Sequence, residues 1–402
     1  MRRTVAALFM VSVVASVVVG VHSQAAVPWQ LVEHTIATDL RGGYQVVAVD
    51  MNKDAKVDLL AIATSATADL VWFENPLGAE AGTAKAATWT RHVVASGLPS
   101  MINADAFDID KDGIPEIAVA SGFATAPTRS AGVMTLLTHG ADVNAPWTAK
   151  EFDRTPTAHR LRWIDAEGNG QKMLINAPLA GINGVAPDYR DKVSIYAYKP
   201  TELARTTVTD AEEGVIHGLA IVDWDGKGRQ ALLTASFMGI HVNRFANGKW
   251  QRTQLTAGNP EAWPKNGSSD VAVLRTKAGR QLAAIEPWHG NQVVIYRGSG
   301  DKWDQRTMID DTLNDGHTLV AGDLDGDGVD EVIAGFRGAG GGVNIYRLGA
   351  GNQWVKTVLE QPKSMAAAAC TLAHLNDDKR LDLACIGTST ANLKWYENQP
   401  AK

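Results

Sequence analysis

Cysteine is nearly absent from this chain: 402 residues contain two, Cys370 and Cys385. That excludes a disulfide-stapled scaffold and leaves no cysteine cluster for a metal. The two flank one predicted hairpin, so either they pair in an oxidising compartment or both stay as buried thiols. An excess of either charge is also lacking, with 38 Lys and Arg against 44 Asp and Glu, so no nucleic-acid surface is expected. Long amphipathic helical patterns are missing, as are a P-loop, a dinucleotide fingerprint and a Ser-His-Asp motif. Apolar runs long enough to span a bilayer are lacking but for one, residues 4–21. Arg2 and Arg3 precede it and Ser23 and Ala25 follow it, the layout of a signal peptide over residues 1–25, with an uncleaved anchor as the alternative. The expected product is periplasmic or secreted, with no membrane contact after cleavage, and residues 26–402 read as one domain.

What the chain has is glycine (38), tryptophan (12) and a recurring acidic loop. In "NDGHTLVAGDLDGDGVDEVIAGFR" (314–337), Asp323, Asp325 and Asp327 alternate, Gly328 follows and Glu331 closes the set. The spacing suits a hard cation such as calcium, yet β-type runs flank it where an EF-hand would have helices. The same pattern recurs with Asp108, Asp110, Asp112 and Glu116, and in decayed form around positions 50, 165, 223, 274 and 374. Successive first loop positions lie 49 to 58 residues apart, which makes seven units. Because the acids decay unit by unit, the loops read as local staples, holding calcium in some blades or acidic turns satisfied by backbone N–H groups and water.

Each unit continues with a third strand, such as "GVNIYRL" (342–348), and a fourth that often opens on tryptophan, such as "KWDQRTM" (302–308). Four short antiparallel strands repeated seven times predict an all-β, seven-bladed β-propeller. The seventh unit stops after "NLKWYENQPAK" without a fourth strand, and "VPWQLVEHTI" (27–36) has the pattern of the missing one. Its pairing with the last blade is expected to close the ring. The repeats resemble the FG-GAP/VCBS family, which includes integrin-type propellers; that resemblance implies fold and not activity.

Six residues before each first loop position stand Tyr44, Ile102, His159, His217, Ser268, His317 and Ala368. Three of seven are histidine in a chain with only ten. Lying at the starts of the innermost strands, they are expected to face the central axis. His289, in the turn "EPWHGN" (286–291) of blade 5, falls on the same face. A ring of strand starts about 8 Å in radius is within reach of one zinc ion, given a Zn–N bond of about 2 Å. The alternative is that these histidines bond neighbouring backbone or line a wet channel.

The funnel histidines and "EPWHGN" resemble the propeller domain of aldos-2-ulose dehydratase and, more loosely, propeller-type polysaccharide lyases. The resemblance implies His217, His289 and His317 as ligands of zinc or another divalent transition metal. It implies His159 as base or further ligand, in an elimination on a carbohydrate substrate. Arg160 and Glu286 join His159 as catalytic candidates, with Trp288, Arg337 and Tyr44 as substrate contacts and Trp263 as a possible stacking surface. The cupin domains that accompany the dehydratase propeller have no counterpart among these repeats. A glycan- or protein-binding propeller without catalysis, and a metal-dependent glycoside hydrolase using the same funnel, remain the competing readings; oligomeric state is left open.

Overall fold

The computed structural model describes residues 29–77, 88–376 and 378–400; the expected signal peptide, 1–25, lies outside them. Seven four-stranded antiparallel sheets are arranged as the blades of a propeller. Blade 1 runs Gly43–Val49, Asp58–Ala63, Leu70–Glu74 and Thr90–Ala95. The innermost strands of blades 2 to 7 are Asn103–Phe107, Ala158–Ile164, Ile216–Val222, Asp270–Thr276, Gly316–Gly322 and Ala367–Ala373. Each touches the next, and the seventh touches the first, so they form a closed ring. Blade 7 has the order expected from its missing strand: Trp29–Ala37 pairs antiparallel with Leu393–Pro400 at the outer edge of the sheet. Among the described residues no helix is long and apolar enough to cross a membrane.

Second strands such as Asp58–Ala63 (DLLAIA) and Glu331–Phe336 (EVIAGF) are buried almost throughout because other blades cover both faces, which explains their unbroken apolar sequences. The core is therefore divided into layers between blades. Leu60, Ile62 and Trp72 of blade 1, for instance, pack on Ala104, Ile117 and Val119 of blade 2. Outer strands such as Thr148–Arg154 are largely exposed and polar. Cys370 and Cys385 sit opposite one another on the first two strands of blade 7 and form a disulfide.

Polar latches join the blades. Asp153, closing blade 2, accepts hydrogen bonds from Tyr198 Oη (2.6 Å) and Arg205 Nε (3.0 Å) of blade 3. Asp310 of blade 5 accepts from Tyr346 Oη (2.5 Å) and Lys356 Nζ (2.7 Å) of blade 6. Glu360 of blade 6 accepts from Tyr396 Oη and Lys394 Nζ of blade 7, both at 2.8 Å. Asn75 and Asn398, at the ends of the third strands of blades 1 and 7, donate to Leu375 O and Leu324 O in the loops of the preceding blades.

Candidate metal centre and funnel

The innermost strands begin with a shared irregularity. Pairing with the second strand skips one residue in five blades, between Gly43 and Gln45, Ala158 and Arg160, Ile216 and Gly218, Gly316 and Thr318, and Ala367 and Ala369. The skipped residues are Tyr44, His159, His217, His317 and Ala368. A β-bulge re-aims the side chain of its extra residue, and here all five belong to one end of the central channel. Gly218 lets blades 4 and 5 approach closely, since a Cβ there would lie 2.7 Å from Asp270 Cα.

Potential ligand atoms of His217, His289 and His317 lie within 4.8 Å of one another. His217 and His289 approach with Nε2 atoms 3.2 Å apart. Every Nδ1 of the three has an acceptor: Ser269 O for His217 at 3.2 Å, Ala368 O for His317 at 2.6 Å, and Asp315 Oδ1 for His289 at 3.0 Å. These partners favour the Nδ1–H tautomer and leave the Nε2 lone pairs facing the axis, as second-sphere acceptors do for metal-binding imidazoles. Nε2 of His317 is buried with no hydrogen-bond partner. Burial is the main cause that holds His217 and His317 well below the usual histidine range, reinforced by Arg160 for the first and Arg337 for the second. His289 is lowered by burial too, against the opposing pull of Asp315. Neutral imidazoles with converging ring nitrogens fit a borderline divalent ion such as zinc.

His159 stands beside this trio. Its Nε2 is 3.1 Å from Tyr44 Oη and 3.1 Å from Arg160 Nη1, its Nδ1 has no partner, and burial followed by Arg160 holds it well below the usual range. Arg160 also donates from Nε to His217 O (2.9 Å) and lies 3.2 Å from His217 Nε2 through Nη2. Arg337 grips Asp315 at 3.1 and 3.2 Å and reaches within 3.3 Å of His289 Nδ1. The Trp288 ring packs 4.7 Å from that of His289, while Trp263 lies further out, with Arg190 4.4 Å above its ring. Behind the histidines runs a channel of about 680 Å³, lined among others by Arg160, Arg162, Asp105 and Asp270.

The structure thus gathers His159, Arg160, His217, His289, His317, Tyr44, Trp288 and Arg337 into one funnel. Glu286 does not fit the catalytic place expected for it. Its buried carboxylate accepts from Ser268 Oγ (2.8 Å), Tyr296 Oη (2.7 Å) and Arg306 Nε (3.0 Å) inside blade 5, the set of partners used by the latches between blades. Sequence reading missed Asp315 and Ser269. Asp315 had one signal, its place two residues before His317 in the quoted stretch; Ser269 had none.

The acidic loops lie at the other ends of the same strands, about 20 Å away for a seven-residue strand. Asp108, Asp110 and Glu116, and likewise Asp323, Asp325 and Glu331, bring carboxylate oxygens within 4.8 Å of one another. Backbone amides already occupy part of each set. Asp323 accepts from the N–H groups of Gly326, Asp327 and Gly328, Glu331 from Leu324 and Glu116 from Ile109. Asp112 and Asp327 bond the amides of Ile114 and Val329. Asp108 Oδ1 is buried without a partner, and Glu331 is pushed up to about 8, by burial first and then by Asp325, Asp323 and Asp327.

Residues 131–299 match the sequence family described as aldos-2-ulose dehydratase, beta-propeller domain. That segment carries His159, Arg160, His217 and His289 and stops before His317. Among curated proteins, aldos-2-ulose dehydratase of Phanerodontia chrysosporium is 23% identical over 261 residues, 58% of this chain. The match spans only 29% of that relative's length. Among solved structures, BBS1N in complex with ARL6DN aligns with a TM-score of 0.56 at 12% identity, over 93% of this chain and 97% of that one; the likeness is one of fold alone.

Proposed function

We propose that this chain is an exported, metal-dependent carbohydrate lyase or dehydratase that performs β-elimination on a keto-sugar or uronate glycoside in the funnel. The observation that carries the reading is the convergence of a ring nitrogen from each of three histidines whose Nδ1 positions are all tied to acceptors, in a chain similar to a sugar dehydratase propeller. His217, His289 and His317 would hold a divalent transition metal, zinc by the donor set. When bound, that ion supplies Lewis-acid polarisation of the oxygen conjugated to the acidic C–H.

The remaining chemistry belongs to the chain. His159 is buried and neutral, and because Arg160 can only donate to its Nε2 the basic lone pair sits there; in this reading Nε2, released by Arg160, takes the proton from carbon and returns it to the departing oxygen. The C–H and C–O bonds break, a C=C bond forms, and water or an alcohol leaves. Arg160 and Tyr44 hold the His159 ring, and Trp288 offers an apolar wall for a sugar face. At the other ends of the strands, the loops of blades 2 and 6 are read as calcium staples, a reading supported by the unpartnered Asp108 oxygen and the crowded carboxylates around Glu331.

A glycan-binding propeller without turnover is the second reading. What favours it is Arg160, which already sits against Nε2 of both His159 and His217. The deciding assay supplies 2-keto and 3-keto sugars, anhydrofructose and uronate oligosaccharides to metal-replete protein. Elimination yields a new near-ultraviolet chromophore. One added water per cleaved bond without a chromophore indicates a hydrolase, and binding without turnover indicates a binding module.

A further inference from the structure

Resting on the elimination reading, we propose that the funnel selects a sugar bearing a carboxylate over a neutral sugar, with Arg160 as the residue that receives the carboxylate. Arg160 is the one arginine in the buried class among the described residues, at 9% exposure. No carboxylate lies within 4.0 Å of its guanidinium among those residues. Its partners are Tyr44 Oη, His217 O and the Nε2 atoms of His159 and His217, all uncharged. The same fold shows what an internal cation normally receives. Lys394, also buried, is paired with both Glu33 (2.9 Å) and Glu360 (2.8 Å). A buried charge without a carboxylate in contact is costly, so a fold that pairs Lys394 twice in direct contact and leaves Arg160 only Asp270 across the channel points to a counter-ion that arrives with a ligand.

The surroundings narrow the choice. Asp315, the carboxylate nearest the histidines, is held by Arg337 and His289 and has little left to offer. Asp270 faces Arg160 across the channel beyond 4.0 Å, and its Oδ1 accepts from the Val271 N–H of its own strand. Asp105, lower in the channel, accepts from Trp163 N–H. Arg162, the other nearby cation, is directed to Leu161 O and Asn103. A divalent ion among the imidazoles would add positive charge close to Nη2, which sits 3.2 Å from one of the proposed ligand atoms, and would deepen the need for an anion there. A carboxylate would meet Arg160 at Nη2, which has one N–H without a partner among the described residues and one turned to His217 Nε2, in a charge-assisted contact that a hydroxyl does not match. It would also set the carbon next to the carboxylate beside His159, whose Nε2 shares the same guanidinium at 3.1 Å.

The test is calorimetric binding to the metal-replete full chain at low salt, with matched trimers of β-1,4-linked glucose and glucuronate and of α-1,4-linked galactose and galacturonate. A 6-O-sulfated neutral trimer supplies a non-planar anion. One uronate trimer is expected to bind ~10-fold or more tightly than its neutral partner, in keeping with charge-assisted pairing. Arg160→Gln should erase the preference, while Arg160→Lys, which keeps the charge, should retain part of it. Neutral trimers that bind as well as the uronates, or uronates that do not bind, overturn the proposal. Equal binding of the sulfated trimer overturns the assignment to a carboxylate. Turnover of anhydrofructose without uronate affinity overturns this inference and keeps the elimination reading. Uronate preference without any chromophore keeps this inference and removes that reading.

Discussion

Asp315 Oδ1 lies 3.0 Å from His289 Nδ1, while Arg337 grips the same carboxylate at 3.1 and 3.2 Å. The pair sets His289 apart from His217 and His317, whose Nδ1 atoms meet neutral carbonyls. Burial raises the Asp315 carboxyl, but the hydrogen bonds from His289 and Arg337 outweigh it and leave it below the ordinary value. A negative acceptor makes the opposite ring nitrogen a stronger donor and fixes its direction.

Asp315→Asn should therefore weaken zinc binding by about 10- to 100-fold while leaving the fold in place. Asn is nearly isosteric and tolerates the left-handed backbone that Asp315 adopts (φ 57°). Competition with a chromophoric chelator measures the change. Unaltered affinity would mean that His289 is not a ligand or that its direction is fixed by other contacts.

The acidic loops carry a pH signature. Burial pushes Asp58 up to about 6, Asp382 to about 7 and Glu331 to about 8. A carboxyl whose folded pKa is raised stabilises fully below its unfolded value near 4 and loses that contribution as pH rises through the folded value. Calcium-free protein should thus lose stability between about pH 4.5 and 8, with a slope of at most about 1.4 kcal/mol per pH unit for each group. Calcium should flatten that slope by keeping the carboxylates ionised. Glu331→Gln should remove its share of the slope and of the calcium effect. Calorimetric melts across this range, with calcium or with chelator, decide it; coincident curves would leave the loops as acidic turns.

A latch between blades offers a separate test. Tyr346→Phe removes the hydroxyl that binds Asp310 but keeps the ring in its apolar layer. Asp310 keeps Lys356 and Thr312, so the expected loss is about 1–3 kcal/mol, read from urea unfolding. A change below about 0.5 kcal/mol, the scatter of ordinary surface substitutions, would show that Lys356 and Thr312 satisfy the acid without the hydroxyl.

Fold was legible because a propeller writes its period into the chain. The loops at 108 and 323, the "IYR" and "WYEN" strands and the stray N-terminal strand each follow from local chemistry that repeats. The histidine register was legible for the same reason: a bulge at one fixed place in blades 3, 4 and 6 keeps His159, His217 and His317 in step. What escaped were partners that come from different blades. Asp315 on the blade 5–6 connection serves His289 across a separation that no periodicity records. Glu286 was misassigned for a related reason. His289 lies in the turn after the strand and faces the funnel, whereas Glu286 is the strand's last residue and turns into the blade toward Tyr296 and Arg306.

The funnel histidines should divide by role. His217 and His317 each have Nδ1 committed to a backbone carbonyl and the other ring nitrogen within the three-histidine cluster, so His217→Ala and His317→Ala each remove a donor from a three-donor set. Metal content after dialysis should fall from about one ion per chain toward zero, with turnover lost in parallel. His159 contributes differently, because its Nε2 is engaged by Tyr44 and Arg160 and falls outside the three-histidine cluster. His159→Gln, which keeps a polar group for Arg160, should retain most of the metal and lower turnover by about 100- to 10,000-fold, the usual contribution of a positioned proton-transfer group. Mass-spectrometric metal analysis read beside the near-ultraviolet assay separates the two classes. Loss of metal in the His159 variant would make it a fourth ligand, and full turnover would remove it from proton transfer altogether.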